Sequence, residues 1–206
     1  MQKIKMIFFP KRFVFLLLIV LTIVSCGDDE NEPSLPSGCS GSNGVYASEV
    51  VSTNLGCIPT NAFTNPEELL GAPNASATGP GKTEYQGFVS LGVNGSVTVF
   101  MGSCIQDLPG ADIRVYQSVS REAVEVQVSQ SKDGPFVSLG FEDCNDPPPF
   151  FQGFCEFDLA GSGLNNVRFV RVIDRETITF PGAECDNTGM SPGADVDAIQ
   201  VVHPGS

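Results

Sequence analysis

The sequence contains a single histidine, His203, and this shortage excludes several kinds of catalytic site. A Ser-His-Asp or Cys-His site needs a histidine to take up the proton of the nucleophile. Zinc sites usually use several histidine or cysteine ligands. We expect His203, three residues from the C-terminus, to be exposed. The sequence therefore predicts a protein that is not an enzyme. A glycosidase, which needs only two carboxylates, is the alternative left open by so many acidic residues.

Basic residues are scarce as well. The first 25 residues contain four of the 11 basic residues and none of the 24 acidic ones, so the remainder has 7 basic residues and a net charge of about −17. This charge repels nucleic acids and anionic membrane surfaces. It suits a solvated extracellular surface and divalent cations, and it excludes nucleic acid as a partner.

The N-terminus predicts a lipoprotein signal peptide over residues 1–25. Basic residues precede the apolar run Phe13–Val24, which is too short to span a bilayer core of about 30 Å. The run ends in "IVSC", Ile23–Cys26, which resembles the lipobox of bacterial lipoproteins. Cys26 would then carry the lipid and hold the protein to a membrane. An uncleaved anchor or an ordinary signal peptide is the alternative.

Residues 26–37 predict a flexible tether, because they are acidic and almost without apolar side chains. Acidic tethers directly after a lipidated cysteine resemble the export signals that carry lipoproteins to the outer face of some Gram-negative bacteria. We therefore expect a lipid-anchored outer-membrane protein that faces the cell exterior.

Six cysteines remain after Cys26. An even number in an exported chain indicates three disulfides, and no C-x-x-C spacing supports a zinc ribbon or a thioredoxin-like site. Partial pairing that leaves one pair of thiols free is the alternative. The predicted pairs are Cys39–Cys57, Cys144–Cys155 and, from the two cysteines that remain, Cys104–Cys185.

Residues 38–206 predict one all-β domain, because short apolar segments alternate with Gly, Pro, Asn and Asp. Asp133-Gly134 predicts a hairpin turn. One short helix is predicted at Asn65–Gly71, with Asn65 as its cap and Pro66 at its first position. The domain would be an antiparallel β-sandwich. The eight predicted strands are Tyr85–Leu91, Ser96–Met101, Asp112–Val119, Val124–Ser129, Phe136–Phe141, Phe154–Leu159, Val167–Ile173 and Val196–Val202.

Six segments between Ala62 and Val202 follow one another in a characteristic order: "NPEELLGAPNA", "GFVSLGVNGSVTVFM", "LPGADIRVYQ", "VEVQVSQSKDGPFVSLG", "FDLAGSGLNNVRFVRVID" and "GADVDAIQ". In this order they resemble a discoidin-like, galactose-binding-type domain of bacterial cell-surface lipoproteins. The resemblance implies an eight-stranded jelly-roll sandwich that binds sugars or surfaces, often with a structural calcium ion. The chain differs from the sugar-binding members in having no tryptophan.

The word Pro-Gly-Ala-Asp occurs twice, and its aspartates are Asp112 and Asp195. Pro-Gly favours a tight turn with a positive φ at glycine, so each aspartate would begin a strand. By alternation, Asp195 and Asp197 would share a face about 6.6 Å apart, with Ile199 deeper on it. Two carboxylates there repel unless water or a cation separates them. Asp112 would instead share its face with Arg114, which could neutralise it.

Calcium binds oxygen ligands, which this chain has in plenty. Asn74 stands where the resemblance would place an aspartate, and its side-chain oxygen can still bind the ion. The predicted calcium ligands are therefore Asp195, Asp197, Asp112 and Asn74. The alternative is that these aspartates accept hydrogen bonds from backbone N–H groups of nearby turns.

The segment between Cys144 and Cys155 predicts a ligand-binding loop. Three prolines stiffen it, and an exposed phenylalanine at Phe150 or Phe151 would offer a platform. Burial of both phenylalanines under the loop is the alternative. Tyr85 and Tyr116, in predicted strands, complete the predicted ligand-binding residues.

The combined prediction is a surface-anchored lipoprotein with a non-catalytic module that binds extracellular glycan, with calcium shaping the loops. One alternative is a structural or adhesive surface protein that binds protein partners. A polysaccharide-active enzyme is the other.

Overall fold

The strands form where apolar side chains alternate with polar ones, which buries one face of each strand. The computed structural model describes residues 45–56, 63–78, 84–118, 122–144, 153–175 and 193–203, all within one compact unit. These residues form one 3-10 helix, Pro66–Leu69, and eleven strands. The strands are β1 (Glu49–Asn54), β2 (Ser76–Thr78), β3 (Glu84–Gln86), β4 (Val89–Ser90), β5 (Ser96–Gln106), β6 (Ile113–Gln117), β7 (Ala123–Ser129), β8 (Val137–Asp143), β9 (Gly153–Phe157), β10 (Asn166–Asp174) and β11 (Asp195–Val201).

Two antiparallel sheets enclose the core. The five-stranded sheet has the order β1-β5-β10-β7-β8, the four-stranded sheet has the order β4-β11-β6-β9, and β2 and β3 form a separate hairpin. Val99 and Val126 of the first sheet belong to one buried cluster with Val115 and Ile199 of the second. The all-β, sandwich-like prediction is confirmed. No helix among the described residues is both long and apolar enough to cross a membrane.

The helix and hairpin predictions are confirmed. Asn65 caps the 3-10 helix by accepting the N–H of Glu67 at 3.3 Å, and Pro66 occupies the first position. Strands β7 and β8 pair antiparallel across the Asp133-Gly134 turn, where Gly134 has φ +89.

The strands differ from the prediction in number and in several of their bounds: β5, for example, continues to Gln106 instead of ending at Met101. The predicted strand Tyr85–Leu91 is two short strands, β3 and β4, with Gly87 between them at φ +81. Strand β1 was not predicted, since its sequence "EVVSTN" is mostly polar.

The Cys144–Cys155 disulfide is confirmed. It joins the end of β8 to β9, and these are edge strands of the two larger sheets. Cys104 is also disulfide-bonded, to a cysteine outside the described residues. Other predicted features that lie outside the described residues are Cys26, Cys39, Cys57, Cys185, Phe150, Phe151, the signal peptide and the tether.

Strand β11 contains a bulge. Its pairing with β6 shifts between Val196 and Ala198, which makes Asp197 an extra residue in the ladder. Val196 joins Ile199 in the buried cluster. The predicted alternation, which placed Asp195, Asp197 and Ile199 on one face, is therefore wrong for this strand.

Candidate functional site

An open pocket of about 490 Å³ lies beside the 3-10 helix and the β2–β3 hairpin. Its volume falls within the range of about 300–1,000 Å³ that is typical of small-ligand sites. It contains two of the residues predicted to bind ligand or metal, Tyr85 and Asn74. The lining residues are Phe63, Glu68, Asn74, Tyr85, Gln86, Gly87 and Phe88.

Asp197 binds the wall of the pocket that contains Asn74. Its Oδ1 accepts hydrogen bonds from the backbone N–H groups of Asn74, at 2.9 Å, and of Ala75, at 3.1 Å. Asp197 is only 1% exposed. The bulge of β11 therefore places a buried carboxylate under the segment that carries Asn74.

Gly87 forms a second close contact in this wall. It has φ +81, and a Cβ atom on it would lie 2.1 Å from Oδ1 of Asn74. The side-chain amide of Asn74 therefore packs directly on the backbone at Gly87. Only glycine allows this approach, because any larger residue would displace the amide.

Aromatic side chains form the apolar part of the pocket. The rings of Phe63 and Phe88 stack with their centroids 4.5 Å apart, and Phe88 is buried. A backbone hydrogen bond from Ser90 N to Phe63 O, 2.9 Å long, holds the two segments together. Tyr85 is 36% exposed, so it presents an aromatic ring to solvent beside this buried pair.

Glu68 gives the described lining of the pocket a negative charge. Glu68 is exposed, and its Oε1 accepts a hydrogen bond from Asn65 Nδ2 at 3.4 Å. Gln86 donates from Nε2 to Ser76 Oγ at 3.1 Å. The seven lining residues that the structure describes include one carboxylate and no basic side chain. The pocket thus offers amide, phenol and carboxylate groups around an aromatic floor.

The two Pro-Gly-Ala-Asp turns lie at opposite ends of neighbouring strands. Both glycines, Gly110 and Gly193, have the positive φ that the turn prediction requires. Each turn precedes its strand, and β6 and β11 run antiparallel. Asp112 O therefore accepts from Val202 N, while Asp195 O accepts from Ser118 N at the other end. Seven residues of strand separate the aspartates by roughly 20 Å.

The carboxylate of Asp112 holds a loop junction together. It is fully buried, and its two oxygens accept the N–H groups of Leu108, at 3.1 Å, and of Leu159, at 2.9 Å. For Asp112 the structure therefore agrees with the alternative to calcium binding, in which the aspartate accepts hydrogen bonds from nearby backbone N–H groups. Carboxylate oxygens of Asp107, Asp112 and Asp158 also lie within 4.8 Å of one another.

Asp195 lies in a different buried polar group. Ser90 Oγ donates a hydrogen bond to Asp195 Oδ1, and Asp195 N donates to Oε2 of Glu122 at 3.0 Å. The four predicted calcium ligands thus occupy three separate surroundings: Asp112 lies near Asp158, Asp195 lies near Glu122, and Asp197 accepts the backbone N–H of Asn74.

Tyr116 lies on the outer face of the four-stranded sheet and does not line the pocket. Its hydroxyl donates to Gln200 Oε1 at 2.8 Å. Arg114 forms an ion pair with Glu156 and stacks over the ring of Phe154 at 4.3 Å. Hydrogen bonds with Tyr116 and then with Glu156 raise the pKa of Arg114. The prediction that Arg114 neutralises Asp112 is wrong, because its partner is Glu156.

Several pocket residues were not predicted. Glu68 was assigned only to the short helix, and Phe63, Gln86 and Phe88 carry no motif. The signal that could have found Gln86 and Phe88 is Gly87, since a glycine inside an apolar run often marks a break or a close backbone approach.

Comparison with known proteins returned no match: no family fits the chain, and no curated protein is similar enough to count as a relative. The discoidin-like resemblance therefore stays a prediction.

Proposed function

We propose that this protein is a surface lipoprotein whose domain binds extracellular glycan in the pocket around Tyr85. The observation that carries the proposal is the composition of that pocket. An exposed aromatic ring can pack against the apolar face of a sugar, while the amides of Asn74 and Gln86 and the carboxylate of Glu68 can bind hydroxyls.

Binding without catalysis is the simpler use of this pocket. Hydrolysis of a glycosidic bond needs two carboxyl groups, about 5–9.5 Å apart, on either side of the bond. Among the described lining residues, Glu68 is the one carboxylate. The single histidine of the sequence argues in the same direction. If the purified protein hydrolysed any polysaccharide, the enzyme alternative would replace the proposal of a non-catalytic binding domain.

A jelly-roll connectivity and a lipid anchor complete the proposal. The two antiparallel sheets support the first, and the "IVSC" word with its acidic tether supports the second. Fatty-acid labelling of the wild type, lost in Cys26→Ser, tests the anchor. Protease treatment of intact cells tests the outward orientation, because a protein on the inner face would be protected.

The proposal retains calcium as a structural ion at the strand ends. The residues that would hold it are Asp107, Asp112 and Asp158, whose oxygens are close together and chemically suited to calcium. Calcium titrated into the chelator-treated full chain should bind in the wild type and in the exposed control Asp143→Asn, but not in Asp158→Asn. Absence of binding in the wild type removes calcium from the proposal.

A glycan array probed with the full chain in detergent, with calcium present, tests the proposal. We expect retention of a group of related saccharides. Failure to bind any carbohydrate contradicts the proposal. Capture of a neighbouring surface protein without dependence on sugar would favour the adhesive alternative.

A further inference from the structure

We propose that the pocket selects saccharides that carry a free amino group over their N-acetylated or acidic counterparts. The inference rests on the proposed function, because it concerns the same site. Three properties of the described lining residues carry it: one carboxylate, Glu68, is among them, none of them is basic, and three of them are aromatic.

The first property is the position of Glu68. It lines the pocket on the exposed side of the 3-10 helix, where Oε1 already accepts one weak hydrogen bond from Asn65. Among the described lining residues, none is basic and could pair with the second oxygen of Glu68. An ammonium group of a ligand would therefore complete an ion pair that the protein itself does not supply.

The second property is the charge of the described part of the lining. The seven described lining residues include no Lys, Arg or His, and the whole chain has a formal net charge of −13. A uronate or a sulfated sugar would place its anion opposite Glu68, and no described lining residue would compensate it. The field of the protein attracts cationic ligands and repels anionic ones.

The third property is the aromatic floor. Phe63 and Phe88 stack at 4.5 Å, and the exposed ring of Tyr85 lies in the same pocket. Aromatic faces attract a cation within about 6 Å of the ring centre, and proteins use such faces together with carboxylates to hold ammonium groups. A neutral N-acetyl group would make neither the ion pair nor the cation–π contact.

The test compares matched ligands on the full chain in detergent by calorimetry. The probes are free-amine and N-acetylated tetramers of glucosamine and of galactosamine, with an oligouronate as the acidic probe. We expect the free-amine form of at least one sugar to bind about tenfold or more tightly than its N-acetylated form. The oligouronate should not bind.

Glu68→Gln should remove this preference, because the free-amine form loses the charge that pairs with its ammonium group, whereas the N-acetylated form loses at most a hydrogen bond. The matched control is Glu67→Gln, which removes the same charge from the neighbouring helix position outside the pocket lining. Both changes are at exposed positions, so both variants should fold. The control should keep the wild-type preference.

The outcomes separate the two proposals. Equal affinity for free-amine and N-acetylated tetramers, or a preference that survives in Glu68→Gln, overturns the amine selectivity while glycan binding stands. Tight binding of the oligouronate also overturns it. If no saccharide binds, either in calorimetry or on the array, the selectivity and the proposed function are both overturned.

Discussion

The carboxylate of Asp197 accepts the backbone N–H of Asn74, a residue 123 positions earlier in the chain, at 2.9 Å. The contact joins the bulge of β11 to the wall of the pocket. Strand β11 therefore holds the segment that contains Asn74 and Ala75, which lies outside the helix and the strands.

Asp197→Ala should destabilise the protein by about 3 kcal/mol and weaken ligand binding. The change leaves two backbone N–H groups, of Asn74 and Ala75, without their charged acceptor. Unfolding in denaturant measures the stability. The matched control is Asp174→Ala, which removes a buried carboxylate that also accepts two backbone N–H groups, of Asn94 and Ala194, outside the described pocket lining. It should lose similar stability yet keep the ligand affinity of the wild type, and equal loss of affinity in both would contradict the account.

Gly87→Ala should damage the pocket more than its backbone strain alone explains. The new Cβ would sit 2.1 Å from Oδ1 of Asn74, so the amide must move. Gly161→Ala provides the control, because Gly161 has a similar φ of +85 and no atom within 4 Å of the added Cβ. Each variant should lose about 1 kcal/mol or more of stability through the positive φ. Ligand affinity should fall in the first variant alone; a normal affinity there would show that the position of Asn74 is unimportant.

Glu125 should contribute a stabilisation that disappears in acid. Burial raises its pKa, but hydrogen bonds from Gln127, Ser138 and Arg175, with the charge of Arg175, lower it by more, so the net pKa is lowered. A lowered folded pKa gives stability that is fully present above the ordinary glutamate value, about 4.3, and is lost as the pH falls through the folded pKa.

Denaturant unfolding of wild type and Glu125→Gln across this range measures the effect. The difference should be about 1 kcal/mol or less at neutral pH, because the Arg175 pair is partly exposed. It should shrink towards zero in acid. Glu142→Gln, an exposed position on the neighbouring strand, serves as the control. A difference that grows as the pH falls would have the wrong sign.

Replacement of Cys144 and Cys155 by alanine together should cost about 2–3 kcal/mol of stability. The disulfide closes a short loop with a sequence separation of 11 and joins the edge strands of the two sheets. Thermal unfolding of the oxidised wild type and the double variant measures the loss. An unchanged stability would mean that packing of β8 against β9 suffices without the covalent link.

The sequence predicted the regular strands better than the irregular positions that build the site. Alternating valines identified β7, and Val167 and Phe169 on either side of Arg168 identified β10, because burial of one face leaves a period of two. The bulge at Asp197 leaves no such pattern, since it depends on the register with β6. Asn74 and Tyr85 were each predicted to bind, but as metal ligand and ligand platform in unconnected places. Their common pocket depends on the long-range Asp197 contact, which local sequence does not encode.

The most direct test of glycan binding at this pocket is a titration of the best saccharide from the array into Tyr85→Ala and Phe141→Ala. Phe141 is 71% exposed on β8, in the five-stranded sheet. Phe141→Ala is therefore the matched control, because it also removes an exposed aromatic ring. We expect Tyr85→Ala to lose about tenfold or more in affinity, and Phe141→Ala to bind like the wild type. Wild-type affinity in Tyr85→Ala would contradict the proposed site, and loss in Phe141→Ala instead would place the ligand on the five-stranded sheet.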